Sequence, residues 1–146
     1  MVKENNMTES IGRLRILVVD DDPAMLEVTV LLLGQKGYIV TPATGGREAI
    51  ALLEKNQGIY DVILTDYYMP IINGIELASI IRELAINIPV VLYTTGKIDF
   101  LDQRIMDRSG VSGFAQKPCL ISELDSAIKE IVSSNADYKN SMSIHQ

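Results

Sequence analysis

DVILTDYYMPIINGIEL, Asp61 to Leu77, decides how the rest of this 146-residue chain is read. Asp61-Val62-Ile63-Leu64-Thr65 predicts a short buried strand, because an apolar run of that length bounded by turn formers is too short for a helix. Asp66 falls where the strand ends. Pro70 lacks an N–H and pushes Met69 toward an extended backbone, so Tyr67-Tyr68-Met69-Pro70 predicts a loop. A helix resumes near Asn73-Gly74, with Leu77, Ile80, Ile81 and Leu84 on one face. The unit is strand, acidic loop, helix.

Upstream, Leu14 to Val19 is another buried-strand run, and Asp20-Asp21-Asp22 terminates it. Pro23 suits the first turn of a helix capped by Asp22. Leu26, Val30 and Leu33 mark its inner face, and Gly34 or Gly37 ends it. Tyr38 to Thr41 is a second strand, and Gly45-Gly46 leads into a helix with Ile50 and Leu53 inward. Downstream, Pro89 to Thr95 is a fourth strand, Ile98 to Arg108 a weakly patterned helix, and Ser112 to Gln116 a fifth strand closed by Lys117-Pro118. Leu120, Leu124, Ile128 and Ile131 mark a last amphipathic helix. Residues 1–13 read as a flexible arm, 14–132 as one domain, and the polar residues 133–146 as a frayed tail or linker.

Five strands alternating with helices predict crossover connections, hence an α/β doubly wound parallel sheet with helices on both faces. Ligands bind beyond the carboxyl ends of such strands. Asp20 and Asp21 after the first strand, Asp66 after the third, Thr94 and Thr95 at the end of the fourth and Lys117 after the fifth would therefore converge.

Composition narrows the partners. Hydrophobic residues make up 47% and charged residues 22%, as in a folded domain. Nineteen acidic against 13 basic residues, a net charge of -6, disfavour direct nucleic-acid binding. No apolar run approaches the roughly 20 residues that cross a bilayer, and the first residues do not resemble a secretion signal. The expected location is the cytoplasm, away from the membrane. A single cysteine, Cys119, excludes an intrachain disulfide and is expected to serve packing.

Carboxylates crowded at one end of a sheet repel one another, and a hard divalent cation is the natural remedy. Mg²⁺ is the expected ion, with Asp21 and Asp66 as direct ligands, Asp20 acting through water and the Tyr68 backbone carbonyl supplying a further oxygen. Asp66 is then placed to attack a phosphoryl group. Lys117 would offset charge on the phosphoryl oxygens and the Thr94 hydroxyl would donate to one of them. Thr95 and Gly96 would leave an opening beside the phosphate.

ILVVDDD at Ile16 to Asp22, DVILTDYYMP at Asp61 to Pro70, YTTG at Tyr93 to Gly96 and GFAQKP at Gly113 to Pro118 together resemble the receiver domain of two-component response regulators, of the chemotaxis-regulator kind. The resemblance runs from about Leu14 to Val132 in the family's order and spacing. It implies a flavodoxin-like fold with strand order 2-1-3-4-5 and a cis Lys117-Pro118 bond. It implies Asp66 as phosphoacceptor, Asp20 and Asp21 as the acid pair, Thr94 as switch hydroxyl, Phe114 as switch aromatic and Lys117 as the phosphate-facing lysine. Phe114 is expected in the core. A sensor histidine kinase or histidine phosphotransfer protein would supply the phosphate. Output would pass through the face of the fourth helix, fifth strand and fifth helix to a downstream protein, with a homodimer as a further partner. His145 is the only histidine and lies in the tail, so the chain is not its own histidine-type donor.

A phosphoacceptor switch catalyses only its own phosphorylation and dephosphorylation and is not otherwise an enzyme. An aspartyl-phosphate phosphatase of the haloacid dehalogenase kind would carry an acid two residues after the nucleophile, where this chain has Tyr68. A non-phosphorylated binding module would lack one of the acidic, hydroxyl or lysine positions, and none is missing. Tyr68 is instead expected to crowd the hydrolytic water and slow loss of phosphate.

Overall fold

The apolar runs form five strands, β1 (Arg15–Val19), β2 (Ile39–Ala43), β3 (Val62–Thr65), β4 (Val90–Thr94) and β5 (Gly113–Gln116), in a computed structural model that describes residues 13–95 and 100–144. The arm at 1–12, Gly96, Ile98 and His145 lie outside the described residues. All pairings are parallel, in the order β2-β1-β3-β4-β5. This is the doubly wound order that the resemblance implies.

Among the described residues five α-helices connect or follow the strands: α1 (Pro23–Gln35), α2 (Gly46–Asn56), α3 (Gly74–Glu83), α4 (Phe100–Ser109) and α5 (Ile121–Ile144). Strand alternation splits the core in two. Ile16, Val18, Val62, Leu64 and Val91 pack with Leu26 and Leu33 of α1 and with Leu124 and Ile128 of α5. Leu17, Val19, Ile63 and Val90 pack on the opposite face with Ala49 and Leu53 of α2 and with Leu77, Ala78 and Ile81 of α3. Residues 16–19 of β1 and 62–64 of β3 are buried apolar runs covered on both faces, and both strands lie inside the sheet.

Caps fix the helix starts. Asp22 accepts from the N–H groups of Ala24 and Met25, one residue ahead of Pro23. Asn73 and Glu76 form a reciprocal capping box at α3. At the carboxyl end of α1, Gly34 stays inside the helix and Gly37, at φ +98°, ends it. Arg82, near the end of α3, donates to the carbonyls of Ile86 and Gly110 at 2.9 Å each, tying the turn after α3 to the turn after α4.

Several expectations are corrected. Residues 133–144, expected as a tail or linker, continue α5 as helix, with no glycine or proline after Pro118 to interrupt it. The inner face of α1 adds Thr29, whose hydroxyl donates to the Met25 carbonyl, to Leu26, Leu33 and the half-buried Val30, which packs against the same core. Leu84 caps α3 and is exposed, and Leu120 precedes α5 and is exposed. β2 runs on through Pro42, a residue tolerated at the sheet's edge. Phe114, expected in the core, is 48% exposed. β5 is the other edge strand, and its alternation turns Ala115 inward and Phe114 outward.

Candidate functional site: an acidic rim with a buried lysine

The register of the central strands assembles the site. Val19 of β1 pairs with Thr65 of β3, so the next residue of each strand, Asp20 and Asp66, come out side by side. Both are held by the ladder: Asp20 N donates to the Ala43 carbonyl at 3.1 Å and Asp66 N to the Val19 carbonyl at 3.0 Å. Across the sheet, Thr94 pairs with Gln116, and Lys117 N donates to the Thr94 carbonyl at 2.8 Å. Acids, hydroxyl and lysine thus stand on four adjoining strand ends.

The loop after Asp66 is equally constrained. Asp66 Oδ1 accepts from Tyr67 N at 2.7 Å, and Gly74 N donates to the Tyr67 carbonyl at 2.9 Å. A β-carbon at Gly74 would lie 2.3 Å from the Asp66 carbonyl oxygen, so the start of α3 can approach Asp66 this closely only as glycine.

The charges are arranged around Lys117, itself nearly buried. Its ammonium is 3.0 Å from Asp20 Oδ2 and 3.7 Å from Asp66 Oδ2. Asp20 is buried and its other oxygen accepts from Asp22 N at 3.0 Å. Asp21 is exposed, and Asp66 is half-buried. Carboxylate oxygens of Asp20, Asp21 and Asp66 lie within 4.8 Å of one another. That all-oxygen donor set fits a small hard cation, which keeps waters for its remaining positions. Both Asp20 oxygens already have protein partners, whereas Asp21 faces solvent, which suits a water-mediated role for the first and direct ligation for the second.

Thr94 is 1% exposed at the end of β4. Phe114 and Thr94 lie on neighbouring strands, and the aromatic ring is turned to solvent. Tyr68 is 60% exposed with its ring centroid 4.5 Å from that of Tyr67. The Lys117-Pro118 bond is cis.

One neighbour was not foreseen from sequence. Lys117 Nζ sits 4.9 Å from the centroid of the Tyr93 ring, within cation–π range. Burial, with the nearby Cys119 thiol, pushes the Tyr93 hydroxyl up to about 12. Burial also raises the Cys119 thiol, which disfavours a reactive thiolate and leaves the residue as packing. Period-two alternation was the signal available for Tyr93: it puts the ring on the face opposite Thr94, where the segment after Lys117 returns.

Comparison with known proteins agrees with this geometry. Residues 16–129 match the family model described as response regulator receiver domain. Among curated relatives, the chain is 33% identical over 129 residues to the transcriptional regulatory protein CpxR homolog of Haemophilus influenzae, covering 88% of this chain and 55% of that protein. It is 35% identical over 109 residues to the sensor histidine kinase RcsC of Salmonella typhi, covering 75% of this chain and 11% of that one. The chain therefore spans from about a tenth to about half the length of these relatives. Among solved structures, the Vibrio cholerae chemotaxis protein CheY4 superposes with a TM-score of 0.76 at 26% identity, covering 82% of this chain and 99% of its own. A CheY-like receiver domain protein from Methanospirillum hungatei gives 0.77 at 26% identity, with 87% and 99% covered.

Proposed function

This chain belongs to the response regulator receiver domain family of two-component signalling, and on that premise we propose that Asp66 is its phosphoacceptor in a Mg²⁺-dependent switch. The observation that carries the reading is the buried Lys117 ammonium between Asp20 and Asp66, inside a cluster of three carboxylates. A lysine held there can receive the oxygens of an incoming phosphoryl group, and a carboxylate 3.7 Å from it is poised to be the acceptor.

Asp21 and Asp66 would hold the ion directly, Asp20 through water, and the Tyr68 carbonyl would complete the protein's share. When bound, Mg²⁺ supplies charge neutralisation for the phosphoryl oxygens. The chain's own residues do the rest. An Asp66 oxygen forms a bond to phosphorus as the donor's bond breaks and its leaving group departs with the electron pair. Lys117 stabilises the transferred group, and Thr94 donates its hydroxyl to a phosphoryl oxygen. Movement of Thr94 toward the phosphate would let Phe114 leave its exposed position, altering the face of α4, β5 and α5 that a downstream protein or a second copy reads.

The donor would be a sensor histidine kinase or a histidine phosphotransfer protein in the cytoplasm. The switching unit would be residues 14–132, and the chain would turn over no substrate beyond its own phosphate. Among the described residues no helix is long and apolar enough to cross a membrane.

Incubation with Mg²⁺ and acetyl phosphate, followed by intact mass measurement, tests the proposal. A phosphate adduct on the wild type that is absent from Asp66→Asn is expected. Labelling of both proteins, or of neither, would overturn the reading, and rapid multiple turnover would make the chain a phosphatase.

A further inference from the structure

Ile71 occupies a backbone position that strains the fold and buries almost nothing in exchange. Its φ is +72°, and Ile72 N donates to the Pro70 carbonyl at 2.8 Å, so residues 70–72 form a γ-turn with Ile71 at its centre. The left-handed region is least accessible to β-branched side chains. The turn itself has a clear use. It directs Ile72 onto Gly46, where an added β-carbon would come within 2.8 Å of Ile72 Cβ. Ile71, by contrast, leaves 73% of its surface in solvent. Glycine or asparagine would make the same turn with less strain. Nothing among the described residues calls for an isoleucine side chain here.

Its position says what lies outside. Ile71 is five residues beyond Asp66 and edges a cleft of about 270 Å³ whose walls include Asp21, Gly45, Arg47 and Pro70. Any protein that brings a phosphoryl group to Asp66 must cover this rim. The rim carries Asp20, Asp21, Asp22 and Asp66, whose charge Lys117, Arg47 and a bound Mg²⁺ would offset, so charge alone supplies little net attraction for a donor protein. Apolar contact beside the acids would supply the missing attraction.

We propose that Ile71 is a docking residue for the donor protein, its side chain entering an apolar recess next to the donor's phosphohistidine. The proposal rests on the phosphoacceptor reading above. In the transfer it would favour, the P–N bond breaks as the bond from phosphorus to an Asp66 oxygen forms, and the departing imidazole nitrogen keeps the bonding pair and takes a proton from water.

The test compares two donors on wild type, Ile71→Gly, Ile71→Asn and Ile71→Met. Acetyl phosphate is the small donor. The protein donor is the autophosphorylated histidine kinase that labels wild type fastest in a purified panel. The glycine and asparagine variants are expected to melt higher than wild type and to take phosphate from acetyl phosphate at wild-type rates. Their kcat/KM with the kinase should fall about fivefold or more, and the methionine variant should recover most of it. Equal kinase rates across the four proteins would overturn the proposal, as would a parallel loss with acetyl phosphate or a change in oligomeric state on substitution. Failure of wild type to accept phosphate from either donor would instead remove the phosphoacceptor reading beneath it.

Discussion

Lys117 donates from Nζ to Asp20 Oδ2 at 3.0 Å, and both side chains are more than nine-tenths buried. This cation is shared unequally, since Asp66 lies farther away at 3.7 Å and Asp21 faces solvent. Among the described residues Lys117 is the one ammonium paired with Asp20 and Asp66, and those two partners are not equivalent.

Lys117→Met should destabilise the metal-free protein by about 3 kcal/mol, because it strands a buried carboxylate beside two others. Asp66→Asn removes one repelling charge and should leave stability unchanged or higher. Urea unfolding in EDTA checks both. Mg²⁺ at about 100 times its Kd should add roughly 2.7 kcal/mol to wild type and far less to Asp21→Asn.

Gly74→Ala should cost about 3 kcal/mol or more, since its β-carbon would sit 2.3 Å from the Asp66 carbonyl oxygen and backbone cannot yield as a side chain can. Displacement of the loop should also slow labelling by acetyl phosphate. Denaturant midpoints and initial rates measure the two effects. A fully stable, fully active variant would contradict the close approach of α3 to the acceptor.

Tyr68 holds a large ring at the mouth of the site, 60% exposed and against Tyr67. Tyr68→Asn should open a path for water and shorten the lifetime of the aspartyl phosphate by about threefold or more, a change of roughly 0.7 kcal/mol in barrier. Following loss of the mass adduct after gel filtration would show it. An unchanged half-life would rule out steric protection.

Alkaline stability should report Tyr93. Its hydroxyl is raised in the folded chain from 10.0 to about 12, mainly by burial. The unfolded chain therefore releases this proton first as pH rises. The contribution is fully present below pH 10 and is lost between pH 10 and about 12. Tyr38, which donates to Asp125, is shifted in the same direction. Tyr93→Phe should flatten the decline of the urea midpoint over that window.

The fold was legible because residues 16–19 of β1 and 62–64 of β3 are buried apolar runs, and because Asp22, Asn73 and Gly37 mark helix ends by local chemistry. Convergence of Asp20, Asp66, Thr94 and Lys117 followed from the rule that parallel strands end together. Edges were harder. Leu84, Leu120 and Phe114 are apolar residues at element ends or on an edge strand, where periodicity does not specify burial. The course of α5 through 133–144 was missed because its serines and asparagines suggest a tail, while nothing in them forces a helix to stop. Ile71 gave no signal at all, since a left-handed isoleucine contradicts the local propensity from which sequence is read.

Arg82 bonds the Ile86 and Gly110 carbonyls at the end of the sheet away from the acidic rim. That clamp makes the carboxyl end of α4 a fulcrum. A 10-residue helix is about 15 Å long, so a tilt of about 10° would carry its amino end, beside the end of β4, through about 2.6 Å while its foot stayed still. A change too small to disturb the clamp would thus arrive magnified at the amino end of the helix, as the long arm of a lever.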